Sequence, residues 1–478
     1  MPAPKRDIYL LSPKEYSPET IAVAFAKTSR SPESFREIAA GLTDEKSAQF
    51  HEKWVVGYGH ASVAEHAVLH LAIENASRLA MEAIESNRLA SYTEKSTRYQ
   101  KWDADAFHIP VELNGHPLRA EYIATCRMLF ESYASALEPV RAVVQKAVPQ
   151  REGEKDEAWD RRIRSQYVDV CRFLLPASAL ANVGVTANGR VLENAIRKWR
   201  SSPLAEVREI GETVKDVAQG EIPTLVKYAE PVEYLLETGR EISKLGITQS
   251  GVSKVGEDQG KDWLELVDYD RDGEERVLAS ALYRFGGMSY SEALGALRSA
   301  GGSQAAVADT LLSRLGKHDV PLRELEYASY TFDLVLDQGG YAEFKRHRMM
   351  TQTPQLLTAR LGYAIPRRVV EAGFEGDYCR AMDAAGSLYE KLAAWNPQVA
   401  QYVVPNGYNR RVLFRMNLRE AFSFCELRAA GNAHFSIRRV AQRVAEEIRS
   451  VHPLLTKYLT LHDETSLGVE EQYFTKMA

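Results

Sequence analysis

The chain has 478 residues, and its 60 Lys and Arg against 65 Asp and Glu give a formal net charge of −5. This near balance argues against a protein whose main partner is nucleic acid, and no run of about 18 apolar residues predicts a membrane span. With 45% hydrophobic and 26% charged residues, the composition is that of a soluble globular protein of two or three domains.

The N-terminus and the cysteines indicate a reducing compartment. MPAPKRDIYLLSP has too short an apolar stretch for a secretory signal. Four cysteines lie far apart without CxxC spacing, which excludes a sequence-readable zinc ribbon or disulfide framework; they are Cys126, Cys171, Cys379 and Cys425. We therefore expect a cytoplasmic protein.

Two histidines come close to a metal-binding spacing. His66 and His70 are four residues apart, which would permit metal binding on a helix. The alternating pattern around them predicts a strand instead, and HExxH is absent. We therefore predict no metal site.

Strand-like segments alternate with polar ones along the chain. VLHLAIE (68–74) and YTFDLVL (330–336) alternate apolar with other residues, which predicts half-buried strands. Segment 241–263 is rich in Gly, Ser and charge and predicts a linker, after which LELVDYD predicts the first strand of a second domain. We therefore predict an α/β (α+β) fold with domains over 1–240 and 264–478, each a small mixed sheet packed with helices.

The two halves share landmarks in the same order, which indicates a tandem duplication. Glu65 and Glu326, which precede the two strands, lie 261 residues apart, and Arg88 and Arg348 lie 260 apart (348 − 88). Further on, LLPASALANVGVTANGR and VVPNGYNRRVLFRMNLR lie 229 apart (405 − 176). The separation falls because the first half carries an extra polar stretch near 150–164.

Two polar segments could bind an anion. FKRHRMM places Arg346 and Arg348 on either side of His347, which suits a phosphate or an electron-rich ring; the alternative is a solvated helix end, where cations are favoured. In SNRLASYTEKSTRYQ, Ser96 and Arg98 would share one face of an extended chain. The alternative there is a salt-bridged surface loop.

A predicted helix that begins near Val412 places Asn417 and Arg428 on one stripe. Eleven residues at about 100° each come to within roughly 20° of three full turns, and the two residues are about 16 Å apart along the axis. That span suits an extended ligand held at both ends. A buried asparagine with an interfacial arginine is the alternative.

Three motifs together resemble the flavin-dependent thymidylate synthases: GHxSxxEHxxxxxxIExxSR in the first half, RHR in the second, and NLREAFSFCELRAAGNAHFSIR near the end. The resemblance covers most of the chain, as two family-sized units in tandem. It implies a mixed α/β fold and homotetramers with active sites between subunits. It also implies bound FAD that takes hydride from NADPH, and methylation of dUMP to dTMP with methylenetetrahydrofolate.

Matched position by position, the resemblance assigns site residues in both halves. Flavin contacts would be Ser29, His60, Ser62, Arg88, Asn188, Arg190, Asn194, Arg346, His347, Arg348, Asn417 and Arg419. Nucleotide contacts would be Glu94, Ser96, Arg98, Arg172 and Arg428. The arginine that polarises the uracil ring would be Arg428, or Arg200 in the first half after a shift of one residue.

Neither half carries the full family signature of RHR followed by Ser-x-Arg. The first half reads SNR in place of RHR but keeps Ser96 and Arg98. The second half keeps RHR, but its downstream loop is longer, and Pro354 falls where Glu94 sits. A proline cannot donate a backbone N–H. Each half keeps what the other has lost.

Other positions also differ between the halves. When the two halves are aligned without gaps from Asn188 and Asn417, Trp199 of the first half takes the position of Arg428 in the second. Gln401 of the second half takes the position of Arg172 in the first. In the second half, Tyr327 stands where the first half has the histidine of its Glu65-His66 pair.

We therefore predict an FAD-dependent thymidylate synthase with sites shared between unlike halves, for example the Ser96/Arg98 loop with Arg428. The fused chain would form a homodimer without nucleic-acid or membrane partners. One alternative is a flavoenzyme acting on another uracil-containing substrate, since Ala83 and Glu343 occupy the place of a family glutamine near the nucleotide. The other is a non-catalytic homologue that binds nucleotide or flavin.

Overall fold

The computed structural model describes residues 7–29, 31–57, 61–99, 102–245, 262–299 and 303–476. Up to residue 245 the helices are α1 (Pro18–Thr28), α2 (Phe35–Ala40), α3 (Asp44–His51), α4 (Arg78–Ile84), α5 (Arg119–Ala147), α6 (Asp156–Cys171), α7 (Gly189–Arg200), α8 (Ala205–Gln219), α9 (Pro223–Val226) and α10 (Glu233–Lys244).

From residue 262 the helices are α11 (Gly273–Gly286), α12 (Tyr290–Ser299), α13 (Ser303–Leu312), α14 (Gln338–Phe344), α15 (Arg367–Glu371), α16 (Glu375–Trp395), α17 (Pro397–Ala400), α18 (Leu418–Arg428), α19 (Phe435–Val451), α20 (Pro453–Thr456) and α21 (Ser466–Tyr473). The strands are β1 (Val68–Ser77), β2 (Ser91–Glu94), β3 (Leu180–Asn188), β4 (Leu264–Tyr269), β5 (Ser329–Asp337), β6 (Thr351–Pro354), β7 (Ile365–Pro366), β8 (Asn409–Asn417) and β9 (Phe474–Lys476).

The first compact unit comprises Met1–Lys95, His108–His116 and Leu180–Val252. Its antiparallel sheet has the strand order β1-β3-β2. Alternate residues of β3, among them Val183 and Val185, are buried, because successive side chains of a strand point to opposite faces. The predicted α/β (α+β) fold class is confirmed, but the described sheets are antiparallel where mixed sheets were predicted.

The second compact unit comprises Ser96–Phe107, Pro117–Ala179 and Ser253–Ala478, so it contains α5 and α6 from the first half of the sequence. Its main sheet is antiparallel with the order β4-β5-β8-β6, and β7 pairs with β9. Phe332 of β5 stacks on Phe414 of β8 with ring centroids 5.0 Å apart, at the centre of the core.

The two sheets repeat one register, which confirms the predicted duplication. Glu94 pairs with Val183 in the first sheet, and Pro354 pairs with Val412 in the second. These partners are offset by 260 (354 − 94) and 229 (412 − 183) residues, the separations found in the sequence. Pro354 therefore takes the place of Glu94.

Equivalent loops of the two repeats meet inside the second unit. The prolines of LLPAS (174–178) and VVPNG (403–407) are partners in an antiparallel bridge. The Ala177 N–H donates to the Val404 carbonyl at 2.9 Å, and the equivalent Asn406 N–H donates to the Leu175 carbonyl at 3.0 Å. The contact thus has local two-fold symmetry, like an isologous interface between two subunits.

Each repeat turns from strand to helix at an asparagine. Asn188 Oδ1 accepts the N–H of Val191, and Asn417 Oδ1 accepts the N–H of Glu420, both at 2.9 Å. Such caps favour helix initiation. The predicted helix start near Val412 is therefore wrong, since β8 continues to the asparagine and α18 begins one residue later.

The three predicted strands are confirmed, but the pattern around the two histidines is only partly a strand. Ala61–His66 forms a 3-10 helix, and β1 begins at Val68 and contains His70. Of the predicted linker 241–263, residues 246–261 lie outside the described part, and α10 extends to Lys244. The predicted domain division stays a prediction. No described helix is long and apolar enough to span a bilayer.

Candidate functional site

A cavity of about 620 Å³ in the first unit is lined by α1, α3 and the 3-10 helix that precedes β1. Ser29 and Ser62, two predicted flavin contacts, both line it. A third, His60, lies outside the described residues. The volume of this cavity is typical of a small-molecule site.

The walls of this cavity combine aromatic rings with polar groups. Phe25, Trp54 and His66 supply rings, and the centroids of Phe25 and His66 lie 4.8 Å apart. Lys27 and Ser31 add a cation and a further hydroxyl to the two serines above. This lining suits a ligand that carries both a flat ring and an anionic group.

Arg190 and Arg419, two further predicted flavin contacts, form equivalent ion pairs in the two repeats. Arg190 Nη1 lies 2.5 Å from Glu65 Oε1, and Arg419 Nη1 lies 2.9 Å from Glu326 Oε1. Each pair ties the start of a helix to the 3-10 helix that precedes β1 or β5. Asn194 is exposed further along α7.

The RHR triplet does not present one common surface. Arg346 is exposed and Arg348 half-buried, whereas His347 is only 8% exposed. His347 Nε2 accepts the Nε–H of Arg428 at 2.8 Å, and its Nδ1 lies 3.4 Å from Glu420 Oε1. Burial lowers the pKa of His347, although Glu420 acts against it. The neutral ring can therefore accept this bond.

Arg428, the predicted catalytic arginine, has a second partner in Glu343. Arg428 Nη1 lies 3.0 Å from Glu343 Oε2, and the two side chains are 15% and 18% exposed. Burial lowers the pKa of Arg428, while the Glu343 carboxylate opposes that shift. Held by α14 and by the turn after it, the guanidinium has a fixed orientation.

The first repeat places different groups at these positions. The Trp199 indole N–H donates to the Ala83 carbonyl at 3.0 Å, and Ala83 is the equivalent of Glu343. Trp199 therefore occupies the place of Arg428, as the match without gaps predicts. Arg88, the last residue of the SNR triplet, is exposed.

Lys198 is the cation that faces the SNR triplet. Its ammonium group lies 3.0 Å from Asn87 Oδ1 and 3.1 Å from Ser86 Oγ. Since Asn87 is the equivalent of His347, Lys198 makes the contact in the first repeat that Arg428 makes in the second.

Arg200 is instead part of a separate network in the first unit. It donates to Glu212 at 2.7 Å, to the Ala229 carbonyl at 2.5 Å and to Glu230 at 2.8 Å. Its side chain is only 12% exposed. These bonds join α7 to α8 and to the segment after α9. The catalytic role assigned to Arg200 stays a prediction.

The Ser96/Arg98 loop contributes to a charged cluster in the second unit. Arg98 contacts Asp169 at two points, Nε to Oδ1 at 2.9 Å and Nη2 to Oδ2 at 2.5 Å. Arg172 contacts the same carboxylate and donates to the Thr97 hydroxyl. Burial raises the pKa of Asp169, but Arg172, His434 and Arg98 together outweigh it and hold the pKa below its ordinary value. Ser96 Oγ accepts the Arg98 N–H at 3.3 Å.

The second repeat keeps the turn but not the cluster. The Arg360 N–H donates to Thr358 Oγ1 at 3.3 Å, as Arg98 does to Ser96, but its guanidinium pairs with Glu390 at 2.9 Å. Gln398 and Gln401 stand at the positions of the aspartate and the second arginine. The second repeat therefore lacks the carboxylate and the second arginine of the cluster.

His434 interacts electrostatically with the charged cluster and with the Glu343 carboxylate. Burial lowers the pKa of His434, and the charges of Asp169, Arg172 and Glu343 all act on it. Its ring centroid lies 5.8 Å from that of Phe173. One compact unit thus brings the charges of the first repeat together with those of the second.

Glu94, the remaining predicted nucleotide contact, belongs to the first unit. It forms an ion pair with Arg78 at 2.8 Å, and the two side chains are 2% and 12% exposed. The equivalent positions of the second repeat, each 260 residues further on (338 − 78, 354 − 94), hold Gln338 and Pro354. Neither of these side chains is charged, so the second repeat does not repeat this ion pair. The role of Glu94 toward the nucleotide stays a prediction.

Sequence reasoning missed three residues of these clusters. Asp169 had a signal, since it precedes Arg172 by three residues, a spacing that favours ion pairs on a helix. His434 lies inside the C-terminal motif, but a single sequence does not distinguish it from its neighbours. Lys198 was missed because the match considered arginines only. No group of three or more His, Cys, Asp or Glu among the described residues could hold a metal ion.

Comparisons with known proteins place these clusters in context. The model of a family described as thymidylate synthase complementing protein matches residues 11–224 and 265–454. A protein named UPF0159 protein from Chlamydia muridarum is 32% identical over 443 residues, which cover 89% of this chain and 83% of the relative. A UPF0159 protein from Thermoplasma acidophilum is 28% identical, covering 88% and 89%. A flavin-dependent thymidylate synthase from Clostridium tetani is 29% identical over 226 residues, 45% of this chain and 83% of the relative.

Proposed function

Because the chain belongs to the thymidylate synthase complementing protein family, we propose that it is an FAD-dependent thymidylate synthase. It would methylate dUMP to dTMP, with methylenetetrahydrofolate as the one-carbon donor and NADPH as the reductant. The flavin-dependent enzyme among its relatives supports this assignment. The proposed site combines side chains from both repeats.

The observation that carries the proposal is the composition of the second unit. It contains Arg98 and Arg172 from the first repeat and Arg428 from the second. His434 lies within electrostatic reach of the charges around Asp169 and of Glu343, the partner of Arg428. A ligand with an anionic end and a polar ring fits this arrangement.

Arg98 and Arg172 would bind the nucleotide phosphate. Two guanidiniums around one Asp169 carboxylate leave one net positive charge, and arginine forks match the oxygens of a phosphate. The carboxylate keeps both forks in place. The ligand phosphate would therefore bind a preorganised site.

Arg428 would donate to a carbonyl oxygen of the uracil ring and stabilise negative charge that develops there. Its Nε–H is committed to His347 and one Nη1–H to Glu343, so the remaining N–H groups have a fixed direction. His347 keeps the guanidinium in place and accepts no proton from it. Low exposure strengthens the electrostatic effect.

FAD fits the cavity of the first unit by the chemistry of its lining. Phe25, Trp54 and His66 offer faces for a flat ring system, while Ser29, Ser62 and neighbouring Lys27 suit phosphate oxygens. The chemistry supplied by bound FAD is transfer of a hydride taken from NADPH. The protein groups bind and orient it.

We propose a homodimer of the fused chain as the active species.

A different uracil-containing substrate is the second candidate. This candidate is favoured by Glu343, whose carboxylate lies against Arg428. An ionised carboxylate can only accept hydrogen bonds. A substrate ring that presents an extra N–H donor on that side would be bound more tightly than dUMP.

Purification and spectroscopy test the proposal. The full-length protein should be yellow or turn yellow with FAD, and NADPH should bleach the colour. With dUMP and methylenetetrahydrofolate it should form dTMP. Yellow, NADPH-reducible protein without dTMP would favour the second candidate, and protein that stays colourless after addition of FAD would contradict both.

A further inference from the structure

One face of α18 contacts the His347 ring through three side chains that are spaced four residues apart. Glu420 Oε1 lies 3.4 Å from His347 Nδ1, and Arg428 Nε lies 2.8 Å from His347 Nε2. Between them, the Phe424 ring packs edge-on against the imidazole, with ring centroids 4.8 Å apart. Side chains at this spacing share one stripe of a helix. Both ring nitrogens of His347 are therefore contacted by the same helix.

The bond from Arg428 determines which nitrogen of His347 carries the proton. A guanidinium can only donate hydrogen bonds, so Nε2 must offer its lone pair. The proton of the neutral ring is then on Nδ1, the nitrogen that faces Glu420. An ionised carboxylate only accepts hydrogen bonds, and Glu420 therefore matches this N–H.

The position of Glu420 at the start of α18 suits this contact. It lies in the first turn of the helix, where the helix dipole favours a negative charge. Its backbone N–H donates to the Asn417 cap at 2.9 Å, and its side chain is only 14% exposed. The start of the helix therefore places a largely enclosed carboxylate beside the ring.

The first repeat has a different residue at each of these positions. The three equivalent residues of α7 all lie 229 residues earlier (420 − 191, 424 − 195, 428 − 199) and are Val191, Ala195 and Trp199. Asn87 is the equivalent of His347. Carboxylate, imidazole and guanidinium thus occur together in one repeat and are all replaced in the other, as expected of groups that act as a unit.

We propose that Glu420 is a positioning residue for the thymidylate synthase reaction. By accepting the Nδ1–H of His347, it would keep the Nε2 lone pair directed at Arg428 and so orient the guanidinium toward the uracil carbonyl. This inference rests on the proposed function, in which Arg428 contacts the substrate. Glu420 acts through His347 and does not itself contact dUMP.

Steady-state kinetics of the full-length protein with dUMP test the role of Glu420 in turnover. Glu420→Val introduces the residue of the first repeat and leaves the Nδ1–H of His347 without its acceptor. We expect kcat to fall about tenfold or more, while KM for dUMP changes little because the arginines around Asp169 are unaffected. Glu420→Gln, whose amide oxygen can accept the same N–H, should recover part of this loss.

Glu426→Gln is the matched control, since it changes an exposed carboxylate on the same helix and should leave kcat unchanged. Wild-type kcat in Glu420→Val, or an equal loss in Glu420→Val and Glu426→Gln, would overturn the proposal.

Nuclear magnetic resonance of protein labelled with 15N in its histidines tests the contact independently of turnover. Burial lowers the pKa of His347 and Glu420 raises it, while Arg428 and Glu343 also act on the ring. The pKa of His347 should therefore be lower in Glu420→Gln, which removes only the Glu420 charge. At a pH above the ordinary histidine value of about 6.5, the proton should be on Nδ1.

The His347 signals are identified by their absence in His347→Asn. A proton on Nε2, or an unchanged pKa of His347 in Glu420→Gln, would overturn the proposal even if the wild type forms dTMP. If both signals behave as expected but the wild type forms no dTMP, the proposed function is wrong, and the role of Glu420 in that reaction falls with it.

Discussion

Arg98 holds Asp169 through two parallel N–H···O contacts, 2.9 and 2.5 Å long. Arg172 contacts the same carboxylate from three residues further along the chain. One buried carboxylate therefore orients two guanidiniums that the resemblance assigns to the nucleotide. The second repeat, with glutamines at the equivalent positions, has no such arrangement.

The first prediction concerns the stability contributed by this carboxylate. Asp169→Asn leaves two largely enclosed guanidiniums without their counter-charge, and we expect the free energy of unfolding at pH 7 to fall by about 3 kcal/mol. Urea denaturation measures the loss. As a control, Asp377→Asn removes a carboxylate that pairs with Arg380 at the surface and should have almost no effect. Equal effects of the two substitutions would contradict this role.

The same carboxylate makes stability depend on pH. The folded-state pKa of Asp169 lies below its ordinary value, since Arg172, His434 and Arg98 together outweigh burial. Its contribution is therefore fully present above the unfolded pKa of about 3.9 and is lost as pH falls through the folded pKa. The difference in unfolding free energy between wild type and Asp169→Asn should shrink from about pH 5 toward pH 3. A constant difference would rule out this linkage.

His347 should give the activity a pH dependence. Its Nε2 accepts from Arg428 only when unprotonated, and burial lowers the pKa of His347. We expect kcat/KM for dUMP to fall at a pH below the ordinary histidine value of about 6.5. His347→Asn, the residue at the equivalent first-repeat position, keeps an acceptor that does not titrate and should remove the fall. A fall that persists in the variant would assign it to another group, such as His434.

A substitution of Arg200 tests whether this residue stabilises the first unit or takes part in catalysis. Arg200→Ala removes bonds to Glu212, Glu230 and the Ala229 carbonyl, and we expect the free energy of unfolding to drop by about 2 kcal/mol. Arg197→Ala, which loses only an exposed pair with Glu193, is the matched control. Unchanged stability together with lost turnover would instead support the catalytic role that the resemblance assigns to Arg200.

Repeats and strands could be read from the sequence because they depend on local patterns. The alternation of apolar residues predicted β1 and β5. The fixed offset between the two repeats identified Pro354 as the equivalent of Glu94. The start of α18 could not be placed from the sequence, because Arg410 to Met416 are compatible with either a helix or a strand. The pairing of β8 with β5 and the asparagine cap show that this segment is a strand.

The clusters depended on long-range contacts that no local pattern contains. Arg98 and Asp169 are 71 residues apart in sequence, and His347 and Arg428 are 81 apart. The resemblance supplied Arg98 and Arg428 as candidates. It did not reveal that a buried histidine of the RHR triplet holds Arg428.

The most direct test of a site shared between the repeats compares Arg98→Gln, Arg428→Gln and the double variant. Tritium release from dUMP labelled at C5 measures turnover, and visible absorbance measures bound FAD. A shared site predicts that each single variant loses about 100-fold or more in turnover, that the double variant loses little more, and that FAD content is unchanged. If each single variant instead keeps about half of the activity and only the double variant is inactive, the repeats hold separate sites and the account is contradicted.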